Sequence, residues 1–229
     1  EHQREAYLSM REDLDDPHPS FIPPKLPSHD LPAAARIVRE WLDLGQQRTF
    51  DEYRAAVEAK GVLVFRTNGY AGRWQIAKQM PILGFSLYDP ACPLIVVKKQ
   101  AHEPRQTFTL IHELGHLLLH RTSWIDEESD LYAQRGGERA ANAFAGLVLL
   151  PNAMLSTIRD DERPTDPGHY RDWVEPLTKR LGVSTELVLR RLLDTGRLGS
   201  QQYQAYRDHA TTLALVGAES KGTRQYRYR

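Results

Sequence analysis

The segment His112–His116 has the pattern His-Glu-x-x-His, and it constrains the fold of this chain more than any other feature. Histidines four residues apart on an α-helix project from the same face, so they can bind one metal ion together. A catalytic zinc takes three protein ligands and keeps a fourth position open. In this pattern Glu113 would take a proton from the water that zinc activates. The sequence therefore predicts a helix that carries a zinc site of the kind found in hydrolases.

The residues around the motif support a helix at this place. Apolar residues recur there at helical spacing and form one face. They are Phe108, Ile111, Gly115, Leu118 and Leu119. Pro104 stands just before this stretch, where a missing backbone N–H costs little. We prefer a metal site to the alternative of a helix in which two histidines pack together by coincidence.

The third ligand has to come from another part of the chain. Metzincins would need glycine at position 119 and histidine at position 122, whereas this chain has Leu119 and Thr122. Glu138 is a better candidate, because it begins a second apolar helix at residues 138–150. Small residues in that helix, and Gly115 on the motif helix, would let the two helices approach closely. The carboxylate could then reach zinc at about 2.0–2.2 Å.

Glu138 also has an alternative role, because a glutamate favours the N-terminus of a helix through the helix dipole. As a ligand, it would complete a set of two nitrogens and one oxygen with His112 and His116. Such a set suits Zn²⁺ and also admits Mn²⁺ or Fe²⁺. We therefore expect a zinc cofactor, with the other two metals as alternatives.

Several motifs occur in one order along the chain. They are Ile82–Ser86, Pro93–Val97, Arg105–His120, Glu138–Ala145 and Leu149–Pro151. In this order they resemble the ImmA/IrrE family of metallo-endopeptidases over residues 32–200. The resemblance implies a zinc-dependent, gluzincin-like protease whose zinc ligands are His112, His116 and Glu138 and whose catalytic base is Glu113. Characterised members of that family cleave helix-turn-helix transcriptional repressors in stress or mobile-element responses, which implies a repressor as the protein partner.

The composition indicates a cytoplasmic protein. The chain has 229 residues and a formal net charge of +0, which gives no general attraction to nucleic acid or to acidic membranes. Its one cysteine, Cys92, excludes an internal disulfide. No apolar run approaches the roughly 18–20 residues of a membrane span, and we find no signal peptide. We therefore expect a cytoplasmic location and no membrane contact.

The pattern along the chain predicts four segments. Residues 1–30 are polar and rich in proline, so we expect an extended linker or arm. Residues 31–165 would form the zincin-like metallopeptidase domain, residues 166–210 a helical lobe and residues 211–229 a C-terminal tail. Many relatives in the resembled family carry an N-terminal helix-turn-helix domain, which this chain does not visibly contain. Because the chain begins with Glu, we expect a fragment or processed product whose arm joined such a domain.

The order of the elements predicts an α+β fold. Two helices come first, at about residues 30–44 and 50–60, and Asp30 caps the first of them. Strands are expected at residues 62–66, 83–88 and 94–98, with the last two as a hairpin and a further strand within 67–81. We therefore expect a small antiparallel or mixed sheet packed on the motif helix, followed by a helical C-terminal lobe. A substrate peptide could add to an exposed edge of this sheet.

Other polar residues have weaker cases. His120, one turn beyond His116, could contact a metal ligand from outside or act as a donor in the transition state. Asn142, one turn beyond Glu138, could orient a ligand histidine. For His120, a packed or surface role is an equal alternative. Hydrolysis also needs a donor for the developing oxyanion. The candidates for that donor are Tyr132, Arg135, His169 and Tyr170, and we keep Tyr132 as the first of them. The acidic segment 124–137 is expected to be a solvated loop, with a lid that selects basic substrates as the alternative.

Residues 173–193 have the rhythm of a helix-turn-helix, with a glycine at the turn and Ser184 as the cap of the next helix. DNA binding would present Thr185, Glu186 and Arg190 to a groove. Acidic residues alternate with the basic ones, however, and the sequence lacks the basic stripe of a DNA-binding face. We therefore expect a packed helical pair and no direct DNA binding by this chain.

Two classes of function are compatible with these residues. The first is a zinc endopeptidase that hydrolyses a peptide bond in a partner protein, such as a repressor. The second is a metal-binding sensor or regulatory domain of a transcriptional regulator that performs no proteolysis. Glu113 favours the first class, because a site that only binds metal does not need this base.

Overall fold

The structure, a computed structural model, describes residues 2–15, 18–67, 80–127 and 136–225. The chain divides into two compact units, Glu1–Pro151 and Asn152–Arg229. The first unit contains α1 (His2–Asp13), α2 (Leu31–Trp41), α3 (Phe50–Glu58), β1 (Leu63–Arg66), β2 (Ile82–Leu87), β3 (Leu94–Val97), α4 (Glu103–Gly115), β4 (Trp124–Glu127) and α5 (Gly136–Leu149). The second contains α6 (Asn152–Leu155), α7 (Tyr170–Leu181), α8 (Thr185–Asp194) and α9 (Ser200–Gln225). In the described part of the chain, no helix combines the length and apolarity needed to cross a membrane.

The strands form one mixed sheet in the order β1-β3-β2-β4. β1 runs parallel to β3, whereas β2 pairs antiparallel with both β3 and β4. Asp89 stabilises the turn between β2 and β3, because its Oδ1 accepts hydrogen bonds of 2.9 Å from the backbone N–H groups of Ala91 and Cys92. These observations confirm the predicted hairpin and the predicted α+β class with a small mixed sheet.

The two faces of the sheet pack against different helices. Successive strand residues point to opposite faces. The face toward α4 carries Gly84, Ser86, Ile95 and Val97. The opposite face includes Leu63, Phe65, Leu87, Leu94 and Val96, which pack with Tyr7 and Leu8 of α1. The sheet is therefore covered on both sides, and its inner face positions β2 directly on the motif helix.

The first 30 residues differ from the prediction of an extended arm, because His2–Asp13 form α1. The prolines that indicated an arm begin only at residue 17, so the preceding stretch is free to form a helix. Tyr7 and Leu8 give this helix an apolar contact with the outer face of the sheet. Arg4 adds an ion pair of 3.0 Å with Asp89. Tertiary packing, which sequence pattern did not reveal, thus stabilises this helix.

Residues 18–27 have no regular secondary structure, but they pack against other parts of the first unit. Phe21 is buried, and its ring meets that of Trp41 edge-on with centroids 6.4 Å apart. Gly61 has a φ of +79°, and a Cβ there would lie 2.5 Å from the backbone O of Pro19 and the backbone N of Phe21. The segment therefore passes over Gly61 at a distance that only glycine allows.

Polar contacts at helix ends tie α2 and α3 to the rest of the unit. Asp30 caps α2 as predicted, although the helix ends at Trp41 and not near residue 44. The guanidinium of Arg39 donates to the carbonyl oxygen of Val148 at 2.5 Å, which joins the C-terminal ends of α2 and α5. The backbone N–H of Phe50 donates to Glu103 Oε1 at 2.7 Å and so fixes the start of α3 to the start of α4.

Strand β4 is a second difference from the prediction, which assigned residues 124–137 to an acidic loop. Residues Trp124–Glu127 pair with β2, with Trp124 directly opposite Ser86. Such a short strand is stabilised by a partner far away in sequence, so local pattern does not reveal it. The further strand predicted within residues 67–81 falls almost entirely on residues 68–79, outside the part of the chain that the structure describes.

In the second unit, α7 and α8 form the helical pair that the sequence predicted. Gly182 ends α7 with a φ of +64°. Ser184 caps α8, because its Oγ accepts a hydrogen bond of 3.1 Å from the backbone N–H of Leu187. Both residues thus have the turn and capping roles expected for this motif.

The limits of the second unit differ from the predicted segments. The unit begins at Asn152 and not at residue 166. Arg197 explains part of this difference, because its guanidinium donates hydrogen bonds of 2.7 Å to the carbonyl oxygens of Leu155 and Ile158. In addition, α9 continues to Gln225, through most of the segment predicted as a tail.

We expect Gly61→Ala to lower the free energy of unfolding by about 1–3 kcal/mol, because a Cβ would collide with the backbone of residues 19–21 at a positive φ. Urea unfolding followed by circular dichroism measures this change. Gly45→Ala is the matched control, since a Cβ there meets no atom within 4 Å and should change the free energy by less than about 0.5 kcal/mol. Equal effects of the two substitutions would contradict the close packing at Gly61.

Candidate metal centre

The motif lies at the end of α4 and continues into a wider turn. His112 and Glu113 belong to the last turn of α4, whereas His116 begins a turn of π-helix over His116–His120. Arg121 ends this turn in a left-handed conformation with φ of 54°, and its N–H donates to the carbonyl of His116 at 3.1 Å. The sequence predicted a continuous α-helix here, because side-chain periodicity does not distinguish one π-turn. Such turns are frequent at functional sites.

His112, His116 and Glu138 converge in space. The Nε2 atoms of the two histidines are 3.0 Å apart. Glu138 Oε2 lies 3.2 Å from Nε2 of His112, and Glu138 Oε1 lies 3.3 Å from Nε2 of His116. Ligands at about 2.0–2.1 Å around a tetrahedral zinc are about 3.3 Å apart, so these spacings suit one ion. The structure thus brings together the three residues that the sequence predicted as ligands, with all ligand atoms within 4.8 Å of one another.

Small residues allow α4 and α5 to approach closely, as predicted. A Cβ on Gly115 would lie 3.0 Å from Cδ1 of Phe144 and 3.6 Å from the Cα of Ala141. Ala141 and Ala145 are completely buried. This approach brings Glu138, in the first turn of α5, to the two histidines. The histidine side chains are buried, whereas that of Glu138 is 12% exposed, so Glu138 is the side of the cluster that meets solvent.

Glu113 is packed beneath strand β2 and is completely buried. A Cβ on Gly84 would lie 2.9 Å from Glu113 Oε1, 2.7 Å from Thr109 Cγ2 and 2.9 Å from the carbonyl oxygen of Val96. There is therefore no room for even a methyl group between this strand and the carboxylate. Gly84 was not predicted as part of the site, although a glycine inside a strand is a known signal of close backbone approach.

Two side chains contact the ring of His116 on its other sides. Nδ1 of His120 lies 3.0 Å from Nδ1 of His116. Burial, and to a smaller extent the neighbouring His116, lower the pKa of His120. A neutral His120 can accept a hydrogen bond from Nδ1–H of His116 and leave Nε2 of His116 for a metal. The indole of Trp124 stacks on the His116 ring with centroids 4.7 Å apart and an interplanar angle of 6°. No pattern in the sequence predicted this contact of Trp124.

The residues considered for oxyanion stabilisation lie either outside the described residues or in the second unit. Tyr132 and Arg135 lie outside the part of the chain that the structure describes. Tyr170 is completely buried in the second unit, where its ring stacks with that of Tyr206 at 6.5 Å. His169 is exposed and forms an ion pair of 3.2 Å with Asp166. Asn142 is half-buried one turn after Glu138, and its orienting role stays a prediction.

The fold and this cluster define an α+β domain of the metallopeptidase class, in which the His-Glu-x-x-His helix meets a glutamate from a second helix. Residues 57–193 match the family model described as Peptidase_M78, IrrE N-terminal-like domain. The chain therefore belongs to the ImmA/IrrE family, as the sequence motifs indicated. Membership of this family supports a metalloprotease-like role.

Two similar proteins extend this comparison. The radiation response metalloprotease IrrE of Deinococcus radiodurans is 29% identical over 114 residues, which cover 47% of this chain and 33% of that protein. The chain thus spans only 33% of the length of this curated relative. A solved structure described as a Mycobacterium tuberculosis transcriptional regulator has a TM-score of 0.45 and 20% identity, over 72% of this chain and 46% of that chain. This similarity is too weak to support a statement about fold or function.

We expect Gly84→Ala to lower the free energy of unfolding by about 1–3 kcal/mol, because the new methyl group would overlap Glu113 and a backbone carbonyl that cannot move aside easily. Guanidinium unfolding of the metal-free protein measures the effect. Gly45→Ala serves again as the control for a glycine with open space around it. A wild-type stability for Gly84→Ala would show that β2 and α4 are not packed as closely as described.

Proposed function

We propose that the protein is a zinc-dependent endopeptidase that hydrolyses a peptide bond in a partner protein. His112, His116 and Glu138 would bind the metal, and Glu113 would act as the general base. The observation that carries this proposal is the convergence of the three ligand side chains within 4.8 Å, beside a buried glutamate on the same helix. Family membership supports the metalloprotease-like part of the proposal.

Zinc is the proposed metal because two nitrogens and one carboxylate suit it well, although Mn²⁺ or Fe²⁺ can bind the same set. Three protein ligands leave a fourth position open, which is typical of catalytic and not of structural zinc sites. When bound, the ion would supply a Lewis acid that polarises the scissile carbonyl and lowers the pKa of water. The buried histidines would hold it away from bulk solvent, and Glu138 would complete its ligands from the more exposed side.

Glu113 would move the proton in the proposed reaction. Its carboxylate would accept a proton from the attacking water and return one to the leaving amine. The backbone of β2 at Gly84 restricts this carboxylate, since a Cβ there would already be 2.9 Å from Oε1. A base that is held in place loses little conformational entropy on reaching the transition state, which is a recognised source of catalytic rate.

His120 and Asn142 would orient the metal ligands. A metal-binding histidine usually donates its other ring N–H to a neighbouring acceptor, which fixes its tautomer and its direction. The 3.0 Å contact between the Nδ1 atoms of His116 and His120 supports this role for His120. Asn142 would act similarly on α5, one turn beyond Glu138. For the oxyanion donor we retain Tyr132, which lies in sequence between β4 and α5, the two elements that supply Trp124 and Glu138.

We further propose a DNA-binding repressor as the substrate, in a stress or mobile-element response. The name of the relative from Deinococcus radiodurans links that protein to a radiation response. Strand β4 offers a place for an extended peptide, because within the described residues it pairs with β2 alone and so forms an edge of the sheet. Backbone hydrogen bonds along such an edge do not depend on side chains. A repressor would be met in the cytoplasm, which is the location we propose.

The metal ligands can be tested by metal analysis of zinc-loaded, desalted protein. His112→Ala, His116→Ala and Glu138→Ala should each lose most of the bound zinc, because each removes one of three ligands. Asn142→Ala should weaken zinc binding less, by at most about 10–100-fold. His169→Ala, an exposed histidine paired with Asp166, is the matched control and should keep wild-type zinc.

Full zinc occupancy in both histidine variants would contradict the metal centre. Wild-type affinity in Glu138→Ala alone would move the third ligand to another residue, in the segment 121–137.

The catalytic role of Glu113 can be tested with Glu113→Gln, which is nearly isosteric. We expect this variant to keep its zinc and its melting temperature, and to lose peptide hydrolysis by about 10²–10⁴-fold, because an amide cannot accept the proton. The assay incubates the zinc-loaded protein with candidate repressors encoded in the same genome and looks for one discrete cut by mass spectrometry.

A Glu113→Gln variant that cuts at the wild-type rate would refute this mechanism. A wild-type protein that binds a repressor tightly but never cuts it would favour the alternative function, a metal-binding sensor or regulatory domain.

A further inference from the structure

The indole of Trp124, on β4, is placed against histidine rings and not simply buried in the core. Trp124 is only half-buried, and among the described residues its aromatic ring contacts are with His116 and His120. It lies parallel to the His116 ring at 4.7 Å, and 6.1 Å from the His120 ring. A parallel stack at this distance is one of the favoured aromatic arrangements. The indole thus covers a face of a proposed metal ligand, at a position on the sheet edge.

The backbone between His116 and Trp124 brings the indole to the His116 ring. After the π-turn, Arg121 adopts a left-handed conformation that reverses the chain direction. Ser123 Oγ then accepts a hydrogen bond of 3.0 Å from the backbone N–H of Tyr88, just after β2. This bond aligns β4 with β2, so that Trp124 is opposite Ser86 and shares its face of the sheet. Ile125, the next residue, points to the other face and is 61% exposed.

We propose that Trp124 is a positioning residue that fixes the ring plane of His116 and thereby strengthens metal binding; this inference rests on the proposed metal centre. The ring nitrogens of His116 make polar contacts, Nε2 with Glu138 and Nδ1 with His120. The ring is bonded to the chain through Cγ, so its plane changes by rotation about the Cβ–Cγ bond, and contacts of hydrogen-bond length tolerate part of such a rotation. The stack of Trp124 on the ring face opposes this rotation, because it would drive an edge of the ring into the indole.

The stack should favour the metal-bound state over the metal-free state. A histidine that binds a cation through Nε2 becomes electron-poor, and the electron-rich face of an indole attracts such a ring more strongly. His112 offers an internal comparison, because its aromatic neighbour Phe108 is tilted by 30° at 6.1 Å and is a weaker partner. Removing the indole should therefore weaken zinc binding more than removing Phe108.

The first measurement is zinc affinity, by competition with a chromophoric chelator. Trp124→Leu should bind zinc about 3–10-fold more weakly, whereas Trp124→Phe, which keeps an aromatic face, should stay within about 3-fold of wild type. Phe108→Leu, the matched control beside the other histidine, should change the affinity by less than Trp124→Leu. Cobalt(II) absorption spectra of the same variants report whether the ligand geometry has changed.

The second measurement is tryptophan emission on addition of zinc alone. Wild type should show a zinc-induced change in emission. Trp41→Phe should show the same change, because the indole of Trp41 packs on Phe21. Trp124→Phe should lose that change although it still binds zinc. Wild-type affinity in Trp124→Leu, or a persisting emission change in Trp124→Phe, would overturn the inference. If Trp124→Leu does not fold, the emission of Trp124→Phe decides. If wild type binds no zinc, the proposed metal centre is wrong, and the proposed role of Trp124 is then wrong as well.

Discussion

The close packing of α4 between β2 and α5 is the constraint on which the proposed metal centre depends. On one side, Gly84 allows the backbone of β2 to pass directly over Glu113. On the other side, Gly115 allows α5 to approach, so that Glu138 reaches the histidines. Protein interiors are packed at nearly crystalline density, so one added methyl group at either glycine displaces its neighbours. The arrangement of the cluster therefore depends on the lack of a side chain at Gly84 and Gly115 as well as on its polar residues.

The end of α4 connects this packed centre to the edge of the sheet. The π-turn at His116–His120 and the left-handed Arg121 stop the helix and return the chain to β2. As a result, the contacts of the His116 ring include Glu138 of α5, His120 of the turn and Trp124 of β4. A side chain held in this way would need little rearrangement to bind an ion, because its orientation would be determined before binding.

The second unit uses its charged side chains for internal contacts. Along α7 and α8, Lys179 pairs with Glu175 at 3.1 Å and Arg190 pairs with Asp194 at 3.1 Å. Arg197 donates to backbone carbonyls of the preceding segment. Basic groups that are engaged with nearby acidic groups contribute less to a positive surface. The expectation that this helical pair does not bind DNA stays a prediction.

Local spacing, capping and turn residues were enough to predict the motif helix, the glutamate in the first turn of α5, the β2–β3 hairpin and the α7–α8 pair. The same patterns predicted that His112, His116 and Glu138 would meet. Tertiary contacts were needed to form the helix at residues 2–13, to start a strand at Trp124 and to place Gly84 on Glu113. Each of these depends on contact between residues far apart in the chain, which local periodicity does not encode.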